Sequence, residues 1–116
     1  MRIWLLAALL LAMPARAQEG WVPKTSAELV VLDKIRAQPQ PLTVKVGQSG
    51  EFETLTISVR SCFVRPPDQA ADSAAFVDVT DARGKRDVFK GWVLANTPAV
   101  SMMEHPVYDL RLVGCK

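Results

Sequence analysis

The sequence predicts an all-β fold, namely a single small antiparallel β-barrel or sandwich of about six strands tied by one disulfide. Apolar residues alternate with polar ones in several short runs, which is the period-two pattern of half-buried strands. Proline and glycine separate these runs, and no run predicts more than a turn or two of helix. The pattern does not distinguish a barrel from a sandwich.

The first 17 residues have the features of a secretion signal. Arg2 precedes an apolar run over residues 3–13, and Ala15-Arg16-Ala17 forms a cleavage site of the A-x-A type. The run is shorter than the roughly 20 apolar residues that span a bilayer. We therefore expect cleavage after Ala17 and a periplasmic product without a transmembrane span, the alternative being an uncleaved signal that acts as a weak anchor.

Charge argues against nucleic acid as a partner. The chain has 14 Lys and Arg against 12 Asp and Glu, but Arg2 and Arg16 leave with the predicted signal. The remaining 99 residues then carry equal numbers of each sign and form one domain. A neutral product has no net basic field that would attract polyanions.

The N-terminal half predicts a lead-in followed by two strands. Residues 18–27 form an extended segment whose Trp21 either packs on the domain or serves as an exposed contact, and the β-domain proper covers residues 28–116. Residues 28–36 fit a strand or a short helix, and their β-branched residues favour a strand. Two prolines make residues 37–41 a turn or linker, after which residues 42–46 alternate as a strand.

Residues 51–64 give the longest strand signal in the chain. Strict alternation predicts one face made of Leu55, Ile57, Val59, Ser61 and Phe63, with Cys62 on the opposite face. A run of this length is also long enough to contain a bulge or bend.

The C-terminal part predicts three further strands, over residues 74–80, 88–95 and 107–113. A charged, solvated turn over residues 81–87 joins the first two, and Trp92 is expected to point inward. Residues 96–106 are irregular, with room for one helical turn near residues 100–104. Tyr108, Leu110 and Leu112 share one face of the last strand.

The two cysteines predict a structural disulfide. Cys62 and Cys115 allow one intramolecular pairing, which suits a secreted product. Such a bond would tie the C-terminus to the central strand. A redox or metal-binding role is the alternative, but the cysteines lie far apart in sequence and lack the C-x-x-C pattern, which favours a structural bridge.

Titratable groups gather around His105, the one histidine of the chain. Glu104 and Asp109 flank it, so a small-ligand or metal-assisted site is one interpretation. No nucleophile motif, phosphate-binding glycine loop or recognised metal-ligand spacing accompanies the cluster. The favoured interpretation is structural: His105 and Asp109 bond the backbone and fix the start of the last strand. We accordingly predict no catalytic residues and no cofactor or metal.

Aromatic and methionine side chains are the candidate binding residues. Met102 and Met103 are where exposed apolar surface is expected, together with Trp21, whereas Trp92 and Tyr108 fit either the core or an apolar groove.

Several motifs resemble one bacterial family. These are V-x-L-D-K-I at residues 30–35, R-x-C-x-x-R-P-P at 60–67, A-A-F at 74–76, F-x-G-W at 89–92, and E-H-P-V-Y-D with the final G-C-K from residue 104 onward. Together they are similar to the secreted alphaproteobacterial family called domain of unknown function 2155. The resemblance implies a small exported protein without an established activity. It also implies a gene neighbourhood near an accessory subunit or assembly factor of respiratory complex I.

Three functional hypotheses follow. The first is a non-enzymatic interaction or accessory module of the cell envelope with a protein partner. The second is a ligand or metal site at Glu104, His105 and Asp109. The third, implied by the resemblance alone, is an accessory subunit or assembly factor on the periplasmic side of a respiratory membrane complex.

Overall fold

A computed structural model describes residues 20–83, 86–97 and 103–116 of the chain. The predicted secretion signal, Met102 and most of the predicted helical turn lie outside the described residues. Within them the chain forms eight strands: β1 (Val22–Pro23), β2 (Ser26–Asp33), β3 (Gln38–Lys45), β4 (Ser49–Phe52), β5 (Leu55–Val64), β6 (Ser73–Asp81), β7 (Arg86–Leu94) and β8 (Tyr108–Cys115).

The strands form two antiparallel sheets packed as a sandwich. A five-stranded sheet has the order β1-β5-β6-β7, with β4 paired to the first half of β5, and a three-stranded sheet has the order β3-β2-β8. Neither sheet closes into a barrel. The all-β prediction is thus confirmed, and of its two architectures the sandwich is the one observed.

The core lies between the sheets and comes from the alternation of their strands. The inward residues of β2 and β8 meet those of β5 and β6, and Met103 packs among them. As predicted, Tyr108, Leu110 and Leu112 are all buried. The fully or nearly fully buried side chains are Ala27, Leu29, Val31, Val44, Leu55, Ile57, Val59, Cys62, Ala75, Val77, Val79 and Val93.

The predicted long strand over residues 51–64 is two strands. A tight turn at Glu53 and Thr54 separates β4 from β5, so that these neighbours pair as a hairpin with Phe52 opposite Leu55. Glu53 adopts a positive φ of 55°, a left-handed conformation that suits such a turn. Phe52 and Leu55 are three residues apart, so the strict alternation covers only the residues after the turn.

A β-bulge in β5 corrects the predicted faces of that strand. The register with β6 shifts between Val59 and Ser61, leaving Arg60 as the extra residue. Leu55, Ile57 and Val59 face the core as expected, but after the bulge Cys62 is buried, and Phe63 lies on the outer surface. One inserted residue exchanges the two faces because side chains alternate with a period of two.

The segment predicted as a proline-containing linker forms part of β3. Pro39 and Pro41 pair opposite Leu32 and Val30 of β2. Proline is compatible with this strand because β3 is at the edge of its sheet, and two prolines two residues apart direct their missing N–H groups to the same side. The real turn of the hairpin covers residues 34–37.

The predicted disulfide is present and joins the two sheets. Cys62 in β5 is bonded to Cys115 at the end of β8, with Cα atoms 5.8 Å apart. The C-terminal residue is held further by backbone bonds between Lys116 and Ser26. Among the described residues, no helix has the length and apolar character needed to cross a bilayer.

Candidate functional site

His105 is a buried structural residue with both ring nitrogens engaged. Its Nδ1 accepts hydrogen bonds from the backbone N–H groups of Val107 (3.0 Å) and Tyr108 (3.2 Å). Because Nδ1 is an acceptor, the proton of the neutral ring is on Nε2, which donates to Oδ2 of Asp81 at 2.9 Å. The His105 side chain is 3% exposed, and its ring packs on that of Tyr108.

Asp81 is the partner that sequence reasoning missed. It was assigned to a solvated turn, but the structure places it at the end of β6, where it is 4% exposed. The hydrogen bond from His105 is the main reason that the pKa of Asp81 lies well below its usual range. Thr54 also lowers the pKa of Asp81, though less than His105 does, and its buried hydroxyl lies outside hydrogen-bond geometry. The backbone N–H of Arg83 donates to Oδ1 of Asp81 at 2.9 Å.

The predicted structural role of the cluster is therefore observed. Asp109 accepts a hydrogen bond from the backbone N–H of Leu110. His105 holds Val107 and Tyr108, where β8 begins. Glu104, His105 and Asp109 do line one shallow, open depression with Lys34, Met103 and Pro106. However, His105 offers no free nitrogen to it. The described part of the chain contains no group of three His, Cys, Asp or Glu side chains placed to hold a metal ion.

Met103 does not contribute to the expected methionine surface, and Met102 lies outside the described residues. Met103 is 4% exposed and belongs to the core. Tyr108 is also buried, with its ring edge-on to Phe52 at a centroid distance of 5.6 Å. Of the predicted aromatic binding residues, Trp21 and Trp92 have exposed surface, and Trp92 is on the outside of the sandwich, contrary to the inward prediction.

An aromatic cluster covers part of the outer surface of the five-stranded sheet. Trp92 of β7 is 43% exposed and contacts Phe76 of β6 edge-on, with ring centroids 5.4 Å apart. Phe63 of β5 lies 6.0 Å from Trp92 and owes its outward position to the bulge at Arg60. We call Trp21, Phe63, Phe76 and Trp92 the aromatic face.

Trp21 extends the aromatic face toward the N-terminus. β1 pairs with β5 so that Pro23 lies opposite Phe63, and the same register brings Trp21 beside Arg65. The Arg65 guanidinium lies 4.7 Å from the centre of the Trp21 ring, within the range of a cation–π contact. The lead-in from Trp21 onward is therefore attached to the domain, and Trp21 is half-buried on it.

The aromatic face could not be found from the alternation of the sequence. Phe63 was assigned to the wrong face because Arg60 is inserted in β5. Trp92 was expected to point inward, whereas its register places it beside Phe76 on the outside. The sequence signal for the bulge was the length of the strand predicted over residues 51–64, which is long enough to contain one.

Comparison with known proteins identifies a family. Residues 27–115 match the family described as "Uncharacterized protein conserved in bacteria (DUF2155)". The chain is also similar to an uncharacterized protein of Rickettsia prowazekii (strain Madrid E), with 23% identity over 94 residues. That alignment covers 78% of this chain but 61% of the relative, so the chain spans about three-fifths of the relative's length. No solved structure matches the chain. Since the family match takes in every strand from β2 to β8 almost completely, the chain belongs to the DUF2155 family.

Proposed function

We propose that the protein is a non-enzymatic interaction module of the cell envelope, and that its docking surface is the aromatic face. The observation that carries this proposal is the exposure of Trp92 beside Phe63 and Phe76 on the outside of the sandwich. Large aromatic side chains cost free energy when they face water, and they are enriched at the centres of protein interfaces.

Location in the periplasm is part of the proposal. The A-x-A signal pattern of residues 1–17 supports export. The disulfide between Cys62 and Cys115 supports an oxidising compartment, because such bonds persist there and are rare in the cytosol.

Site-specific photo-crosslinking in the native host tests this function. We would place a photoreactive residue at Ser61, which is opposite Phe76, and compare it with the same residue at the exposed Thr43 of β3, in the other sheet. The expected result is a discrete adduct from position 61 alone, which Trp92→Ala abolishes. Identifying the partner would show whether the protein is an accessory subunit of a membrane complex.

A matched variant separates lost contact from lost folding. Val113→Ala also removes a large exposed apolar side chain, but from β8 in the three-stranded sheet. We expect this variant to keep the adduct. Equal crosslinking from positions 43 and 61, or an adduct that survives Trp92→Ala, would contradict the proposal.

The depression at Glu104, His105 and Asp109 supports a ligand site less well, and substitution can test it. His105→Ala should lower the free energy of unfolding by about 1–3 kcal/mol, because it leaves buried partners unsatisfied. Glu104→Ala, at an exposed neighbour, should change it by no more than about 0.5 kcal/mol. If Glu104→Ala folded normally but abolished the phenotype of the native gene, a ligand site there would replace the aromatic face as the leading candidate.

A further inference from the structure

The aromatic face belongs to an apolar strip that crosses four strands. In one row, Pro23, Phe63, Ala74 and Leu94 are successive register partners from β1 to β7. In the next row, Ser61, Phe76 and Trp92 are partners. Cross-strand partners point to the same side of a sheet, so these two rows form one continuous surface.

Exposed cations surround this strip. Arg60 in the bulge and Lys90 on β7 lie beyond the row of Phe76 and Trp92, while Arg65 lies at the opposite end, against Trp21. All three side chains belong to exposed residues. The strip is therefore bounded by positive charge at both ends.

The nearby carboxylates are already engaged. Asp78, opposite Lys90, has a side chain that is 19% exposed and accepts a hydrogen bond from Arg60 at 3.1 Å. Asp72, near Arg65, accepts the backbone N–H groups of Ser73 (2.8 Å) and Asn96 (2.9 Å) through Oδ1.

Two other exposed carboxylates of the sheet lie farther away. Glu51 and Asp87 belong to the row that contains Thr56 and Thr80, two rows beyond Phe76 and Trp92. The charges available to a partner at the aromatic face are thus mainly positive, with Asp68, in the loop between β5 and β6, as an exposed carboxylate of the opposite sign.

We infer that the aromatic face binds an acidic protein segment, one in which an apolar or aromatic anchor is flanked by Asp or Glu. This inference rests on the proposed function and names the chemistry of its partner. The anchor would pack on Trp92 and Phe63, while the flanking carboxylates would pair with Lys90 and Arg65. Tryptophan and arginine together are typical of the energetic centres of protein interfaces.

Selection from a library of phage-displayed random 12-residue peptides tests the inference on the oxidised protein. We expect the selected peptides to be enriched in Asp and Glu around an apolar residue. A synthetic selected peptide should bind roughly tenfold more weakly to Trp92→Ala than to the unmodified chain. Its affinity should also fall for Arg65→Gln and for Lys90→Gln, and with rising salt. Lys45→Gln, an exposed cation on β3, is the matched control and should bind normally.

The outcomes separate the inference from the function on which it rests. Peptides that need Trp92 but lack acidic residues, or bind independently of salt, would overturn the acidic partner and leave the aromatic face as a docking surface. Recovery of no peptide that depends on Trp92 would overturn both. If a single-stranded oligonucleotide displaced the peptide at equal concentration, the surface would recognise polyanions in general, and the protein segment would be the wrong occupant.

Discussion

At the scale of single residues, the turn before β8 and its connection to β6 depend on the tautomer of His105. Its Nδ1 accepts the backbone N–H groups of Val107 and Tyr108 and thereby fixes the turn before β8. The bond from Nε2 to Asp81 joins this turn to the end of β6. The sequence indicated the backbone role of His105, because a lone histidine without partner motifs is commonly structural. It could not indicate Asp81, since an aspartate beside a charged turn is usually solvated.

The buried carboxylate predicts a specific acid sensitivity. Because the folded protein keeps the pKa of Asp81 below its usual range, whereas an unfolded Asp titrates at about 3.9, the unfolded chain binds this proton first. The stabilisation from Asp81 is therefore fully present above about pH 4 and is lost progressively as the pH falls below it. Urea denaturation of the native chain and of Asp81→Asn between pH 7 and pH 2 would measure it.

Asp81→Asn should be less stable than the native chain at pH 7, by about 1–3 kcal/mol, since one amide oxygen cannot replace the two carboxylate oxygens that accept from His105 and Arg83. That difference should shrink toward pH 2. Asp68→Asn, at an exposed residue, is the control and should follow the native chain throughout. A gap between Asp81→Asn and the native chain that stays constant with pH would contradict the assignment.

At the scale of strands, alternation predicted where β2, β5, β6, β7 and β8 lie but not which way all their residues point. The prediction of which β5 residues face the core was correct up to Val59. After that point one extra residue, Arg60, reversed the assignment of Phe63. A bulge depends on how two strands pair, and pairing involves residues distant in sequence. For the same reason Pro39 and Pro41 suggested a linker: whether a strand is at an edge is decided by the neighbours it acquires.

The approach of β4 to β3 gives a second prediction, which concerns Gly50. A Cβ atom added there would lie 2.9 Å from Cγ2 of Val44, a buried side chain whose β-branch leaves it few alternative rotamers. Gly50→Ala should therefore lower the free energy of unfolding by about 1–3 kcal/mol through overpacking. The measurement is the denaturant midpoint.

Gly114→Ala provides the matched control for Gly50. Its added Cβ would meet the Ser73 hydroxyl at 3.9 Å, an ordinary contact, so we expect a much smaller change. Equal effects of the two substitutions would show that the loss of glycine itself, rather than the close packing of β4 on β3, determines the result.

At the scale of the whole molecule, the disulfide connects two layers that also pack through their inward faces and are joined by the hydrogen bond between His105 and Asp81. β5 belongs to one sheet and β8 to the other, and the bonded cysteines are 53 residues apart. The bond also lies one residue from Phe63, so it ties the strand that contributes Phe63 to the aromatic face to the last strand of the other sheet. Cross-linking a loop of this length removes conformational freedom from the unfolded chain. In the chain-entropy model this raises the free energy of unfolding by about 4 kcal/mol.

The double substitution Cys62→Ala and Cys115→Ala should therefore lower the free energy of unfolding by about 4 kcal/mol, a large part of the stability of a domain of this size. Guanidinium denaturation with and without dithiothreitol measures the effect. The native chain should become as unstable as the double variant when reduced, while the reductant should leave the double variant unchanged. If the reduced chain kept the midpoint of the oxidised one, packing between the sheets would suffice, and the disulfide would have to be explained by something other than stability.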